Sequence, residues 1–170
     1  MKLGRFALVG AILATSVGCD QVTKIAARQH LEGQGTQSFL GDTFRLTYTE
    51  NYGAFLGMGS NLPDPVRNLI FVGLVSIFLV GFLVWILRTR ELSRTALVSA
   101  TLIIGGGIGN LIDRVLFDGG VTDFMNLGIG PVRTGIFNVA DVWIVVGAAA
   151  LLLLSPEARR GFRVNEDEGD

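Results

Sequence analysis

Four apolar segments dominate the hydropathy pattern of this 170-residue chain. The first runs from about 6 to 27 and carries polar residues in its second half, and the second, at 69–87, has no charged residue. The third and fourth lie at about 96–112 and 137–154. A helix needs about 20 residues, within a range of about 17 to 25, to cross the hydrocarbon core of a bilayer. The pattern therefore predicts an all-α polytopic membrane protein with four transmembrane helices.

Basic residues are distributed unevenly over the segments that connect these spans. Eight of them precede the first span, separate the second from the third or follow the fourth: Lys2, Arg5, Arg88, Arg90, Arg94, Arg159, Arg160 and Arg163. The two longer connections, at 28–68 and 113–136, hold only Arg28, Arg45, Arg67, Arg114 and Arg133. Because cytoplasmic loops carry an excess of Lys and Arg, both termini are predicted to be cytoplasmic and these two connections to be the outer loops.

The first outer loop contains a short segment with the pattern of a β-hairpin. Residues 38–40 and 43–48 are rich in aromatic and β-branched side chains and flank Gly41-Asp42, a pair suited to a turn. We expect a small β-sheet element that lies on the membrane, because open sheet edges do not occur in the hydrocarbon region. Residues 1–164 are predicted to form a single membrane domain, followed by an acidic, disordered tail at 165–170.

Composition agrees with a membrane protein and excludes several kinds of partner. Charged residues make up 17% of the chain and the mean hydropathy is +0.51, whereas soluble domains have about 25% charged residues. The formal net charge of -1 leaves no basic surface to neutralise phosphates, so we expect no nucleic-acid partner. A single cysteine and a single histidine exclude an internal disulfide and make a zinc site implausible.

Polar side chains gather at the outer ends of the predicted spans. Ionisable residues at membrane depth are costly, so each is a functional hypothesis by default. Asp141 is the hardest to explain structurally, because it interrupts an otherwise apolar segment. In chain order the set is Asp20, Lys24, Asn110, Asp113, Arg114, Asn138 and Asp141, with Asp123 in the second outer loop.

Two of these carboxylates, Asp123 and Asp141, could form an aspartic dyad. Two carboxyl groups a few Å apart do not both ionise, so one pKa rises. The ionised member takes a proton from water while the protonated member polarises a peptide carbonyl. Because such a pair titrates as a unit, the sequence assigns neither role to one residue.

Several of these residues also have structural interpretations. Asp20 and Lys24 are four residues apart, which is the spacing of a helix ion pair. Asp113 next to Arg114 is equally consistent with an ordinary interface salt bridge, and Asn110 and Asn138 could cap or cross-link helices. The glycines at 105–109 predict that the third helix packs closely against its neighbours.

Five short motifs follow one another between residues 20 and 141. They are Asp20-Gln21-Val22-Thr23-Lys24, Glu50-Asn51-Tyr52-Gly53-Ala54-Phe55, Gly106-Gly107-Ile108-Gly109-Asn110-Leu111-Ile112-Asp113-Arg114, Val121-Thr122-Asp123-Phe124 and Phe137-Asn138-Val139-Ala140-Asp141. Together they resemble, in order, the motifs of the lipoprotein signal peptidases, also called signal peptidase II. Each motif alone is weak, but five in family order are highly specific.

The resemblance implies a bacterial inner-membrane aspartic endopeptidase with its active site and β-sheet element on the periplasmic side. Such an enzyme removes signal peptides from diacylglyceryl-modified prolipoproteins by cutting just before the lipidated cysteine. The implied partners are the lipid-modified prolipoprotein, membrane lipids and globomycin-type inhibitors. No metal or organic cofactor is implied, and we expect a monomer.

The resemblance also implies roles for nine residues. Asp123 and Asp141 are the expected catalytic pair. The residues expected to bind substrate or support the site are Asn51, Gly53, Asn110, Arg114, Asn138, Asp20 and Lys24. We further expect the Arg114 guanidinium to hydrogen-bond a backbone carbonyl near the cut.

Three other functions remain open from the sequence. Residues 15–19 resemble a lipobox, and removal of residues 1–18 with added lipid would mark the chain itself as a lipoprotein. Asp113, Asp123 and Asp141 could instead bind magnesium in a membrane transferase, whose activity EDTA would abolish. A transporter is the third possibility, although no inverted repeat is visible.

Overall fold

The computed structural model describes residues 2–53 and 58–154. Ala54 and Phe55 of the second motif lie outside the described residues, as does the predicted acidic tail at 165–170. Helix α4 lies at the centre of the helical part, in contact with α1, α3 and α5. The helices are α1 (Lys2–Leu31), α2 (Asp64–Asn68), α3 (Val75–Arg88), α4 (Arg94–Leu116) and α5 (Val139–Leu154), and a π-helical segment, Leu69–Leu74, joins α2 to α3.

Three helical segments are long and apolar enough to cross a bilayer within the described part of the chain: Leu3–Leu31, Asp64–Arg88 and Arg94–Leu116. Helix α5 is also apolar, but it has 16 residues, just short of the range of about 17 to 25 that a span needs. The prediction of a mostly helical membrane protein is confirmed, and the fourth span stays a prediction.

Two helices extend beyond the predicted spans at their outer ends. Helix α1 continues past 27 to Leu31, and α4 continues past 112 to Leu116. The two helices therefore continue into the segments predicted as loops, 28–68 and 113–136. Hydropathy locates only the apolar part of a helix. The backbone hydrogen bonds of a helix can continue beyond that part, through residues with polar side chains.

A four-stranded antiparallel sheet covers one end of the helices, in the order β1-β2-β3-β4. The strands are β1 (Gln37–Phe39), β2 (Phe44–Asn51), β3 (Val121–Ile129) and β4 (Val132–Arg133). The predicted hairpin is present as β1 and β2. The sheet is not confined to the first outer loop as predicted, because β3 and β4 come from the second. The first four residues of β3 are all buried, so this strand lacks the alternation that identifies a half-exposed strand.

The pairing of β2 with β3 brings the two outer loops together beside the helix ends. Thr49 lies opposite Asp123 and Asn51 lies opposite Val121. On the helix side, Phe124 packs in a buried cluster with Ala27 of α1 and other apolar residues of that helix end. The strand that carries Asp123 is therefore fixed to both β2 and α1.

Glycines allow α4 to approach its neighbours at two points near the sheet. A methyl group at Gly106 would overlap the Ala140 carbonyl oxygen of α5. A methyl group at Gly109 would lie 2.5 Å from the Asp20 carboxylate of α1. These contacts agree with the predicted close packing of this helix and bring polar side chains of α1, α4 and α5 within hydrogen-bonding distance.

Candidate active site

Helix α5 begins with two reciprocal hydrogen bonds between Asn138 and Asp141. The Asp141 N–H donates to Asn138 Oδ1 at 3.0 Å, and the Asn138 N–H donates to Asp141 Oδ2 at 3.2 Å. This is the arrangement of a capping box, in which the residue before a helix and the third residue of its first turn satisfy each other. The carboxylate of Asp141 is thereby held against the positive end of the helix.

A third group at this helix terminus comes from α1. Asp20 Oδ1 accepts a hydrogen bond from the Ala140 N–H at 2.8 Å. Asp20 is fully buried, so this contact forms without competing water. The first turn of α5, and with it Asp141, is consequently positioned by a side chain that lies about 120 residues earlier in the chain.

Asp123 is held by two amide groups. Asn51 Nδ2 donates to Asp123 Oδ2 at 3.0 Å, and Asn138 Nδ2 donates to Asp123 Oδ1 at 2.6 Å. Because Asn138 also accepts from the Asp141 N–H, one asparagine contacts both aspartates. Asn138 therefore links the Asp123 carboxylate, through its side-chain amide, to the Asp141 carboxylate, through its backbone N–H.

Asn110 of α4 links the same pair to a buried lysine. Its Oδ1 accepts hydrogen bonds from Lys24 Nζ at 2.9 Å and from Asn138 Nδ2 at 3.0 Å. Its Nδ2 donates to Asp141 Oδ1 at 2.9 Å. The donors on one side and the acceptor on the other fix the orientation of this amide. Lys24 is therefore linked to Asp141 by Asn110, which is hydrogen-bonded to both.

Arg114 connects the outer end of α4 to the segment after β2. Its Nη2 donates to the Gly53 carbonyl oxygen at 2.9 Å, and its guanidinium lies 5.4 Å from the centre of the Phe71 ring. The Gly53 N–H in turn donates to Asn51 Oδ1 at 3.0 Å. Arg114 thus supports the asparagine that contacts Asp123, and the carbonyl it contacts belongs to this chain.

A buried charge cluster lies next to the two aspartates. Asp20, Lys24 and Asp113 are each 0% exposed. Lys24 Nζ lies 2.9 Å from Asp20 Oδ2 and 3.3 Å from Asp113 Oδ2. Asp113 Oδ2 also accepts from the Thr122 N–H at 2.9 Å, one residue before Asp123. The cluster therefore holds α1, α4 and β3 together.

The structure brings all nine predicted site residues into one hydrogen-bonded network. The structure does not show the ion pair between Asp113 and Arg114 that the sequence suggested. Asp113 instead contacts Lys24 and, at 3.7 Å, Arg28. With its carboxylate turned to these cations, Asp113 is badly placed for the magnesium alternative. Among the described residues, no group of three or more His, Cys, Asp or Glu side chains could hold a metal ion.

Sequence reasoning missed Gln21 and gave Asp113 no role in the site. Gln21 Nε2 donates to Asp113 Oδ1 at 3.1 Å and to the Gly109 carbonyl at 3.0 Å. The sequence could have indicated Gln21, because it lies between Asp20 and Lys24 in a polar stretch of the first span, and polar residues at membrane depth are functional candidates.

The environment of Asp123 favours its protonated form. Burial and the nearby negative charge of Asp141 raise the pKa of Asp123 from 3.8 to about 6, although the amides of Asn51 and Asn138 oppose the shift. A protonated carboxyl beside an ionised one is the arrangement that activates water and polarises a carbonyl at the same time.

A cleft of about 640 Å³ gives access to Asp123 from the sheet side. Its walls come from the end of β2, from α2 and from the segment before α5, and they include Glu50, Tyr52, Arg67 and Gly135. The site therefore lies between a polar cleft and the apolar helices.

Comparison with known proteins gives consistent matches. The family model described as "Signal peptidase (SPase) II" matches residues 12–156. The lipoprotein signal peptidase of Borrelia hermsii is 34% identical over 161 residues, which cover 90% of this chain and 93% of that protein. That of Halothermothrix orenii is 36% identical over 134 residues, covering 79% and 85%. A solved bacterial membrane enzyme matches with a TM-score of 0.75 and 26% identity over 85% of each chain.

Proposed function

The chain belongs to the signal peptidase II family of lipoprotein-processing proteases, and from this premise we propose that it cuts diacylglyceryl-modified prolipoproteins just before the lipidated cysteine with Asp123 and Asp141 as its catalytic pair. The observation that carries the proposal is that Asn138 contacts both aspartates, at 2.6 Å to Asp123 Oδ1 and 3.0 Å from the Asp141 N–H. The buried, amide-lined setting of the two carboxylates supports the same assignment.

In the proposed reaction the pair holds one proton. The ionised carboxylate takes a proton from water as the water oxygen bonds to the carbonyl carbon before the lipidated cysteine. The protonated carboxyl gives its proton to the carbonyl oxygen, which forms a tetrahedral intermediate. On collapse, the carbon–nitrogen bond breaks as the cysteine nitrogen receives a proton from one carboxyl of the pair. A diol hydroxyl returns its proton to the other carboxylate, so the carbonyl re-forms and the pair again holds one proton. The products are the signal peptide with a new C-terminal carboxylic acid and the lipoprotein with a free amine on its lipidated cysteine.

We place the site at the periplasmic side of the inner membrane, with four spans and both termini in the cytoplasm. One contact supports this orientation: the Arg5 Nη2 donates to the Thr89 carbonyl oxygen at 2.7 Å, so the start of α1 and the basic turn after α3 lie at the same end. The sheet lies at the other end of α1. The basic residues would then face the cytoplasm. A monomer is sufficient for this site, because all nine residues come from one chain.

The direct test uses purified enzyme and a lipid-modified prolipoprotein. Mass spectrometry should find a product that begins with the lipidated cysteine. Globomycin should prevent its formation, EDTA should leave it unchanged, and the same substrate without lipid should be cut poorly. A cut at another bond, or a requirement for a divalent metal, would contradict the proposal.

Activity should fall as the pH rises through the pKa of Asp123. Burial and the Asp141 charge raise this pKa to about 6, and loss of the pair's single proton removes the acid that polarises the carbonyl. We therefore expect kcat/KM to decline above about pH 6, approaching tenfold per pH unit. Initial rates between pH 5 and 8 on one substrate would measure this. A profile that is flat across that range would show that the pair does not titrate there.

Arg114→Lys should lower kcat/KM by about ten- to hundredfold, since hydrogen bonds to charged groups contribute about 1.5–3 kcal/mol. An ammonium group does not reproduce the planar geometry with which the guanidinium reaches the Gly53 carbonyl while it lies over the Phe71 ring. Arg45→Lys is the matched control, because Arg45 pairs with Asp42 in the β1–β2 hairpin. Wild-type kinetics for Arg114→Lys would mean that its planar geometry is not used.

A further inference from the structure

Arg67 is a buried cation with an unused donor. It lies in α2, is 9% exposed, and pairs through Nη2 with Asp64 Oδ1 at 2.9 Å. Asp64 itself is 78% exposed, so this partner is largely solvated. In the described part of the chain, no acceptor lies within hydrogen-bonding distance of the buried Arg67 Nε. A buried N–H without an acceptor is costly, which suggests that a ligand supplies one.

The two acidic groups that line the same cleft, Glu50 and Asp123, already accept hydrogen bonds from this chain. Glu50 accepts hydrogen bonds from the Tyr52 hydroxyl at 2.6 Å and from the Tyr48 hydroxyl at 2.9 Å. The ring of Tyr52 lies 5.2 Å from the Arg67 guanidinium carbon. The cleft therefore has an excess of donors over acceptors, and it suits a ligand that brings carbonyl or carboxylate oxygens.

The position of the cleft indicates which part of the substrate it can bind. Asp123 lies in its wall together with Gly135 and the end of β2, outside the three candidate spans, and Arg67 lies in the first turn of one of them, Asp64–Arg88. A signal helix and acyl chains are apolar and remain beside those helices. The polypeptide after the cut is hydrophilic, rich in main-chain carbonyls, and has to leave the site on the sheet side.

We infer that the cleft binds the stretch of polypeptide that follows the scissile bond and that the guanidinium of Arg67, which forms part of the cleft wall, donates a hydrogen bond to a carbonyl or carboxylate of that stretch. This inference rests on the proposed function and adds a binding site to it. Arg67 is a substrate-binding residue here and takes no part in proton transfer.

The test compares two substrates that share the signal peptide and the lipid. One keeps the downstream polypeptide, and the other ends in an amide one residue after the lipidated cysteine. Wild-type enzyme should prefer the long substrate by about tenfold in kcat/KM. Arg67→Gln should lose this preference, mainly through a higher KM for the long substrate, and should cut the short one normally. Arg45→Gln, which deletes a guanidinium of the β1–β2 hairpin, should leave kcat/KM unchanged for both substrates.

Each other result overturns the inference in a recognisable way. Equal cleavage of both substrates by wild-type enzyme would refute the downstream site while leaving the proposed function intact. An equal loss on both substrates in Arg67→Gln would make Arg67 structural. If that variant melts early, Arg67→Lys replaces it: it keeps the charge but lacks the guanidinium, so it should lose rate on the long substrate only. Failure of wild-type enzyme on both substrates would refute the proposed function itself.

Discussion

Asp123→Asn and Asp141→Asn should each lower prolipoprotein cleavage by about a thousandfold or more, because an amide neither takes a proton from water nor donates one to the carbonyl. The two single losses should be similar, and the double variant should be no worse than either, since residues that act as a unit are strongly non-additive. Initial rates on a lipid-modified substrate, measured over several hours for the variants, would give these ratios.

Both variants should remain folded, because each new side chain keeps one oxygen for a donor. An asparagine at 141 keeps an oxygen for the Asn138 N–H that caps α5, and its own NH₂ group then meets the Asn110 Nδ2 donor. An asparagine at 123 faces two amide donors, Asn51 Nδ2 and Asn138 Nδ2, so its own NH₂ group meets one of them. We therefore expect a small loss of thermal stability, of similar size, for Asp123→Asn and Asp141→Asn.

Asp118→Asn is the matched control for the chemistry. Asp118 is exposed and has a φ of 50°, a backbone conformation that asparagine also tolerates. This variant should cut at the wild-type rate with an unchanged melting temperature. Turnover retained by Asp123→Asn or Asp141→Asn, with the product still beginning at the lipidated cysteine, would refute the catalytic pair.

The sequence predicts where the apolar part of each helix ends. It predicts which polar residues lie at the level of the site, but not how they pair. Asp20, Lys24 and Asn110 could be placed at one membrane level, because hydropathy and charge fix the height of each residue along its helix. Their partners depend on rotation and tilt, which follow from the glycine contacts of α4 with α1 and α5. The sequence allowed Asn138 to cap a helix, but not its reciprocal bonds with Asp141, because the apolar segment extends back to Phe137 and does not mark the start of α5.

The second outer loop was harder to predict. Strand β3 has no alternation of apolar and polar residues, because α1 covers one face while the site buries Asp123. Its pairing with β2 joins segments that lie about 70 residues apart, as the Asn51–Asp123 hydrogen bond does. Arg67 was counted only as a loop charge, since nothing in its neighbourhood in the sequence predicts burial.

Lys24→Met should lower the free energy of unfolding by about 3–5 kcal/mol, the usual cost of removing one member of a buried ion pair. The fully buried carboxylates of Asp20 and Asp113 would then lose the cation they share, and among the described residues only Asp113 would keep another, Arg28 at 3.7 Å. The variant would also lose the donor to Asn110 Oδ1, so activity should fall with stability. Unfolding in mixed micelles, followed by circular dichroism, would measure the loss.

A second substitution separates charge balance from lost packing. In Lys24→Met combined with Asp20→Asn, only Asp113 remains charged and Arg28 compensates it, while an asparagine oxygen still accepts from the Ala140 N–H. The double variant should therefore be more stable than Lys24→Met alone, a sign opposite to that of two independent defects. Arg90→Met, which removes an exposed cation from the turn after α3, should leave stability unchanged. If the double variant is the less stable one, lost packing around the methionine outweighs the uncompensated charge.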